Sequence, residues 1–374
     1  MTVNQIDKSD CTGCWACYNQ CPAECITMKE DAEGFKYPSV DAAVCVQCGG
    51  CVKSCPSINP VDVSQHRSEP RVYAAWSLDE EIRQNSTSGG AFSEIAKLLL
   101  EGGGYVCGAE YDSNHQVRHC VINHVDQLNR LRQSKYVQSD TGMVFREIRE
   151  HLDASKDVLF CGTPCQCAGL RKYLNRDYSN LYSVDFICRG SNSPLVYRKF
   201  LHYLENAYHS KVTRVWFKNK AFGWNRFSTR IDFEDGGVYL RDRHSDTYIR
   251  GYIEANLYMR DSCGACKYKS LPRVSDITLG DFWGVKLSDD SLDTDKGTSV
   301  VMLNSPKGER LFDGAKRNLF FEEKTVEDVY KKNKCLFESP KLNRHKKTFF
   351  EDMDRLDLIE NISQYCRGGS EYGK

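Results

Sequence analysis

Cys11-Thr12-Gly13-Cys14-Trp15-Ala16-Cys17-Tyr18-Asn19-Gln20-Cys21-Pro22 and Cys45-Val46-Gln47-Cys48-Gly49-Gly50-Cys51-Val52-Lys53-Ser54-Cys55-Pro56 are one pattern written twice. Each cysteine of the first stretch recurs 34 positions later, and each set reads C-x2-C-x2-C-x3-C followed by proline. Three thiolates two residues apart on a tightly looped backbone converge on three iron corners of a cubane. Gly13, Gly49 and Gly50 let that backbone close on the inorganic sulfides. The proline bends the chain away, so the fourth thiolate reaches the neighbouring cluster.

By this logic Cys11, Cys14, Cys17 and Cys55 hold one [4Fe-4S] cluster, and Cys45, Cys48, Cys51 and Cys21 hold the other. The spacing is that of bacterial two-cluster ferredoxins. Zinc is the competing ligand, but a zinc site needs only two C-x2-C pairs and no trailing Cys-Pro. Cys25 lies just outside the pattern and reads as a small buried hydrophobe.

The remaining chain is far larger than this module. Its 374 residues leave room for two or three domains, and 40% hydrophobic residues supply a sizeable core. Basic and acidic residues balance at 51 each, which gives no pull towards nucleic acid or anionic lipid. No apolar run approaches the roughly 20 residues of a membrane span, and the N-terminus lacks a signal-peptide pattern. Nineteen cysteines in a chain of this length and regular spacing favour metal ligation in a reducing compartment over disulfides. The expectation is a soluble, cytoplasmic protein.

The fold class expected is α+β: a small two-cluster ferredoxin-type domain over 1–59, a proline-bounded linker over 60–70, and a mixed α/β flavin-binding domain. That domain divides into an N-terminal part, 71–155, and a C-terminal part, 156–374. Strands are expected at 71–76, 105–109, 117–122, 158–160, 181–187, 212–218, 228–233 and 238–241. Phe92, Ile95, Ala96 and Leu99 recur at helical spacing, and Gly102-Gly103-Gly104 ends that helix. Further helices are expected over 143–152 and 194–207. Strands and helices do not alternate cleanly enough for a doubly wound sheet, and neither G-x-G-x-x-G nor a P-loop appears. The run Arg344-His345-Lys346-Lys347 reads as a solvated face.

Four further places carry chemistry. Asn85-Ser86-Thr87-Ser88-Gly89-Gly90 precedes the Phe92 helix, where small hydroxyls, glycines and a helix N-terminus suit a pyrophosphate or serve as an ordinary cap. Cys161-Gly162-Thr163-Pro164-Cys165-Gln166-Cys167 sits between a buried strand and a helix. Cys188 ends a strand, and Cys263-Gly264-Ala265-Cys266 is a lone C-x2-C, ambiguous between metal and dithiol chemistry. Together Cys165, Cys188, Cys263 and Cys266 supply the four thiolates of a third cubane, with Cys161 and Cys167 as spares. Cys107, Cys120, Cys335 and Cys366 read as isolated structural cysteines, and His119, His124, His202 and His209 as surface or core residues. A cubane passes one electron at a time, so exchange with an organic two-electron partner calls for a converter such as flavin.

The segment after the linker resembles the family of coenzyme F420 hydrogenase/dehydrogenase beta subunits, with the ferredoxin module fused in front. The resemblance rests on Ser88-Gly89-Gly90, Ser134-Lys135-Tyr136-Val137-Gln138-Ser139, Gly162 to Gln166 with Ala168-Gly169-Leu170, Asp185 to Cys188, and Cys263 and Cys266 ahead of Ser275 to Gly284. Known members of the family are iron–sulfur flavoproteins that hold FAD, and some oxidise reduced coenzyme F420. The resemblance implies FAD on Ser86, Ser88, Gly89 and Gly90 and on the stretch containing Ser134, Lys135 and Tyr136. It implies that Lys135 neutralises a phosphate or the flavin N1–C2=O region. Gly162, Thr163, Pro164 and Gln166 would lie against the isoalloxazine, with Cys165 facing a cluster. After the Cys188 equivalent the family usually has histidine; here it is Arg189, which cannot donate a proton near neutral pH.

The function expected is an FAD- and [4Fe-4S]-dependent oxidoreductase passing electrons between clusters and flavin, and hydride between flavin and a small organic substrate, F420-like or other. Its redox partner would be a ferredoxin or another oxidoreductase subunit. The alternatives are a non-catalytic relay between partner proteins and a thiol–disulfide enzyme using Cys263 and Cys266.

Overall fold

The cysteine repeat folds as two loops around a hairpin. The computed structural model describes residues 2–292 and 294–367. Helix α1 (Ala16–Gln20) follows the first loop, strands β1 (Ile26–Glu30) and β2 (Lys36–Val40) pair antiparallel, and α2 (Gly50–Lys53) follows the second loop. Gly13 and Gly49 have φ of 66° and 70°, left-handed values that let each loop turn tightly.

The main unit is built on an eight-stranded mixed sheet. Its strands are β3 (Arg71–Ser77), β4 (Tyr105–Tyr111), β5 (Val117–Ile122), β6 (Val158–Cys161), β7 (Leu181–Phe186), β11 (Ile277–Asp281), β12 (Ser299–Leu303) and β13 (Leu319–Lys324). They lie in the order β13-β3-β12-β11-β7-β6-β4-β5. The run β4, β6, β7 and β11 is parallel, and the other pairs are antiparallel. Strands from 71–155 and from 156–374 thus share one sheet. Helix α4 (Ala91–Glu101) packs with α9 (Pro306–Ala315) through Ile95, Leu99, Leu311 and Phe312. Helices α5 (Val144–Asp153) and α6 (Pro164–Leu174) pack through Phe145, Ile148, Leu170 and Tyr173. Strand β12 is buried along its whole length, with Val301 and Leu303 in one core and Val300 and Met302 in another. Such unalternated burial is what a strand covered on both faces requires.

A three-stranded sheet is inserted between β7 and β11: β8 (Val212–Asn219), β9 (Ser228–Phe233) and β10 (Val238–Asp242). It shares an aromatic core, including Tyr197, Phe200, Phe217, Tyr248 and Tyr258, with α7 (Pro194–Tyr208), α8 (Thr247–Ile253), α11 (Lys346–Asp352) and α12 (Leu358–Arg367). Two further helices, α3 (Glu80–Asn85) and α10 (Val326–Lys332), flank the large sheet. No helix among the described residues is long and apolar enough to cross a membrane.

The cluster module is docked on the main unit rather than tethered to it. Cys14 and Ala16 join the core formed by α5 and α6. Arg146 donates to the carbonyls of Asn19 (2.9 Å) and Cys21 (3.1 Å), and Asn19 donates to Gly142 (2.8 Å). Segment 60–70 carries no helix or strand but is pinned down, with His66 Nδ1 2.6 Å from the Arg273 carbonyl and Arg67 paired to Glu309 at 2.7 Å. The basic run at 344–347 is only in part the solvated face expected. Lys346 is buried because Glu33 of the module (2.7 Å) and Asp261 of the main unit both pair with it.

Candidate redox centre

Cys11, Cys14, Cys17 and Cys55 form one group of sulfurs. Burial pushes Cys14 up to about 12, and the neighbouring Cys55 and Cys11 sulfurs push the same way. Cys17 is raised by burial and then by Cys14, Cys11 and Cys55. Sulfurs gathered this closely would repel one another once ionised, which makes the set a poor home for free thiolates and a good one for a cationic iron core. The second set is closer to solvent: Cys45 is half-buried and Cys48 exposed, with Val44 (51%) and Val46 (65%) exposed beside them. Cys25 is buried as expected, its sulfur 3.4 Å from Cys21, and its thiol is raised by burial and by contact with Cys21 and Cys45.

Cys165, Cys188, Cys263 and Cys266, 101 residues apart at their extremes, line one small cavity. The element starts that carry them are well determined. Thr163 caps α6 by accepting from the Gln166 N–H while Gln166 Oε1 accepts from the Thr163 N–H, a reciprocal capping box with Pro164 at the first helical position. That leaves Cys165 in the first turn, 3.1 Å from Thr163 Oγ1. Cys263 Sγ accepts from the Ser191 N–H at 3.3 Å, and Lys269 donates to the carbonyls of Cys188 (2.6 Å) and Cys335 (2.7 Å). No three Cys, His, Asp or Glu side chains among the described residues close on a single point. Ligands of a cubane bind four different irons and have no need to.

The other cysteines separate by position. Cys161 lines the large cavity described below, whereas Cys167 is buried against the Gly162 and Val184 carbonyls. Cys107 and Cys366 are buried in cores. Cys335 is not the isolated residue expected: it lines the large cavity and lies 3.9 Å from the Arg189 guanidinium. Tyr268 lines the same small cavity, and its buried hydroxyl has no hydrogen-bond partner among the described residues.

A cavity of about 750 Å3 opens on the other side of Cys165 and Cys188, a size suited to a cofactor with substrate. Ser86, Ser88 and Gly90 line it at the N-terminus of α4. The turn is locked: Ser88 Oγ donates to the Thr298 carbonyl (2.6 Å) and the Gly89 N–H donates to Ser299 Oγ (2.9 Å). A Cβ on Gly89 would lie 2.4 Å from the Ala75 carbonyl, so only glycine fits. Behind the turn, buried Lys220 donates to the carbonyls of Arg83 (2.6 Å), Ser88 (2.7 Å) and Lys296 (2.7 Å). Ser134 N–H donates to Thr87 Oγ1 at 2.7 Å and Gln166 Nε2 to Ser139 Oγ at 3.0 Å, so the stretch with Lys135 and Tyr136 closes the wall. Lys135 lines the cavity, but its ammonium group donates to the Arg132 (2.8 Å) and Gln133 (3.3 Å) carbonyls, and burial pulls it down to about 8. Gly162 and Thr163 also line the cavity, while Pro164 lines only the cysteine cavity.

Sequence reasoning missed three features of this wall. Lys218 is 1% exposed, adopts a left-handed φ of 57° at a bulge in β8, and pairs with Asp281 beside Trp283. Arg243 lines the same region. His119 is buried, and burial pulls it down to about 4; one ring nitrogen faces the Cys161 carbonyl at 3.2 Å and Nδ1 has no partner. Arg189, where histidine was expected, also lines the cavity, held by Asn256 Oδ1 at 2.8 Å. Helix-terminal N–H groups, small hydroxyls and an aromatic-lined body fit FAD.

Residues 72–146 match the family described as coenzyme F420 hydrogenase/dehydrogenase, beta subunit, N-terminal, and 155–329 match the C terminus of that same beta subunit. Residues 10–59 match the 4Fe-4S dicluster domain. One component of the F(420)H(2) dehydrogenase of Methanosarcina mazei is 22% identical over 318 residues, which are 82% of this chain and 83% of that protein. An uncharacterized protein of Methanocaldococcus jannaschii is 22% identical over 343 residues, 83% of this chain and 88% of its own. A chain of the F420-reducing [NiFe] hydrogenase complex from Methanosarcina barkeri superposes with a TM-score of 0.50 at 17% identity, covering 79% of this chain and 96% of that one; this likeness concerns the fold.

Proposed function

This chain belongs to the family of coenzyme F420 hydrogenase/dehydrogenase beta subunits, with a two-cluster [4Fe-4S] domain in front, and from that premise we propose that it is an iron–sulfur flavoprotein oxidoreductase. One observation carries the reading: three groups of cysteines run from the surface to the wall of a cofactor-sized cavity. Cys48 is exposed, Cys14 is buried against α6, and Cys165 and Cys188 line both the cysteine cavity and the large one. Tyr268 lines the cysteine cavity of the third group.

In this reading Cys45, Cys48, Cys51 and Cys21 hold the entry cluster, and exposed Val44 and Val46 give a redox partner, a ferredoxin or another subunit, an apolar footing beside it. Cys11, Cys14, Cys17 and Cys55 hold the second cluster, and Cys165, Cys188, Cys263 and Cys266 a third. The Ser86–Gly90 turn and the α4 N-terminus hold the FAD pyrophosphate, and Gly162 and Thr163 lie against its ring. Bound flavin supplies the exchange between single electrons and a hydride. The chain's own contribution is to exclude water and orient. The Lys218–Asp281 pair, Arg243 and Arg189 form the polar part of the cavity and suit an organic substrate with an anionic group.

The test is anaerobic mixing with reduced ferredoxin, followed by flavin absorbance and cluster EPR. Flavin in the wild type bleaches and flavin in Cys48→Ser does not. Equal bleaching in both chains would remove the entry cluster from the path.

A further inference from the structure

Arg260 is among the most deeply buried large side chains of the molecule, 1% exposed, and it carries a permanent positive charge. Among the described residues no carboxylate pairs with it. Its Nε donates to the Cys11 carbonyl at 2.7 Å, one terminal nitrogen to Gln138 Oε1 at 3.0 Å, and the other to the Lys36 carbonyl at 3.1 Å and to Cys11 Sγ at 3.6 Å. The guanidinium lies over the Tyr37 ring at 4.1 Å. The neighbouring carboxylate, Asp261, is occupied by Lys346.

A buried guanidinium without a counter-charge is costly, by several kcal/mol in general. Elsewhere the interior provides one: Arg273, equally buried, pairs with Asp185 at 3.1 Å. Lys135 and Lys220 also make do with carbonyls, but neither bonds to a sulfur. Of the groups near Arg260 that can become anionic, Tyr37 and Cys263 among them, the Cys11 thiol is the one its guanidinium bonds to, and a cubane ligated by four thiolates carries net negative charge that grows on reduction.

We propose that Arg260 is the built-in counter-charge of the cluster held by Cys11, Cys14, Cys17 and Cys55, and that it raises that cluster's reduction potential. Arg260 touches no substrate; it is a positioning and tuning residue. Its place adds a second consequence. It sits three residues before Cys263 and its N–H donates to the Ser191 carbonyl at 2.9 Å, so the loop carrying two ligands of the third group is anchored on the module's cluster. Reduction adds negative charge to that cluster, and a fixed positive charge bonded to Cys11 favours the reduced state.

This inference rests on the reading of Cys11 as a cluster ligand. The experiment is an EPR-monitored redox titration of anaerobically purified full-length chain, comparing wild type, Arg260→Gln and Arg260→Lys, with iron counted on each sample. The result expected is a reduction equilibrium for one cluster at least tenfold less favourable in Arg260→Gln, a fall of about 59 mV for one electron, with most of it restored in Arg260→Lys and the entry cluster unmoved. Unchanged potentials at full iron content would overturn the proposal and leave the ligand reading intact. A wild-type chain without the two clusters would overturn the ligand reading itself. Should Arg260→Gln fail to hold iron, an [15N]arginine-labelled Arg146→Lys chain that keeps Arg260 decides: a guanidinium nitrogen coupled to the reduced cluster in ENDOR supports the proposal, and its absence overturns it.

Discussion

Gly169 of α6 faces Cys14 of the cluster module with bare backbone: a Cβ there would lie 2.9 Å from the Cys14 Cβ and 3.0 Å from its sulfur. At these two residues the module's cluster loop packs directly on α6, and the contact admits no side chain. Gly169→Ala is therefore expected to push the module off α6 at a cost of about 1–3 kcal/mol. Limited proteolysis between residues 59 and 71 checks this, since a displaced module exposes a segment now pinned by His66 and Arg67.

Cys48→Ser is expected to remove about four irons per chain and leave the other clusters in place. The exposed position of Cys48 means that little packing is lost with the thiol. Iron analysis with EPR of the reduced chain gives the count and shows which signal is gone.

Lys220 donates to three carbonyls, one of them the Ser88 carbonyl of the turn assigned to the FAD pyrophosphate. Lys220→Met leaves those carbonyls unpaired in a buried place. The expected loss is about 2–4 kcal/mol of stability, with flavin dissociation faster by tenfold or more. Denaturant titration and flavin release on gel filtration measure the two effects. Stable protein with undiminished flavin would detach Lys220 from the turn's function.

Tyr268 has a buried hydroxyl with no partner among the described residues and lines the cavity of the third cysteine group. With clusters in place a sulfur is the available acceptor. Tyr268→Phe is expected to keep the full iron content and shift the potential of a neighbouring cluster downwards. Potentials identical to wild type would show that the hydroxyl finds no sulfur.

Much of this was legible in the sequence, for physical reasons that differ by region. The cubane pattern is local: four ligands of each set fall within eleven residues, and loop geometry dictates their spacing. Strands such as 117–122 and 228–233 were located to the residue because β-branched runs sit between clear breakers. The third cysteine group was legible only as four separate thiols near strand ends; their meeting depends on β7 and β11 being parallel neighbours, which no local pattern states. Elements beyond 242 were not assigned, since β12 is a short run buried on both faces and α9 to α12 are brief helices among charged residues. Lys346 was read as solvated because its pairing with Glu33 spans over 300 residues. Arg260 and Lys218 look like ordinary surface cations in sequence, and only burial marks them.

The central claim is a row of cluster sites ending at a flavin. Iron, acid-labile sulfide and flavin quantified on one anaerobically purified sample test it most directly. The account predicts about twelve irons, as many sulfides and one FAD per chain. About eight irons and no flavin after reconstitution would contradict it and leave a two-cluster relay attached to an empty fold.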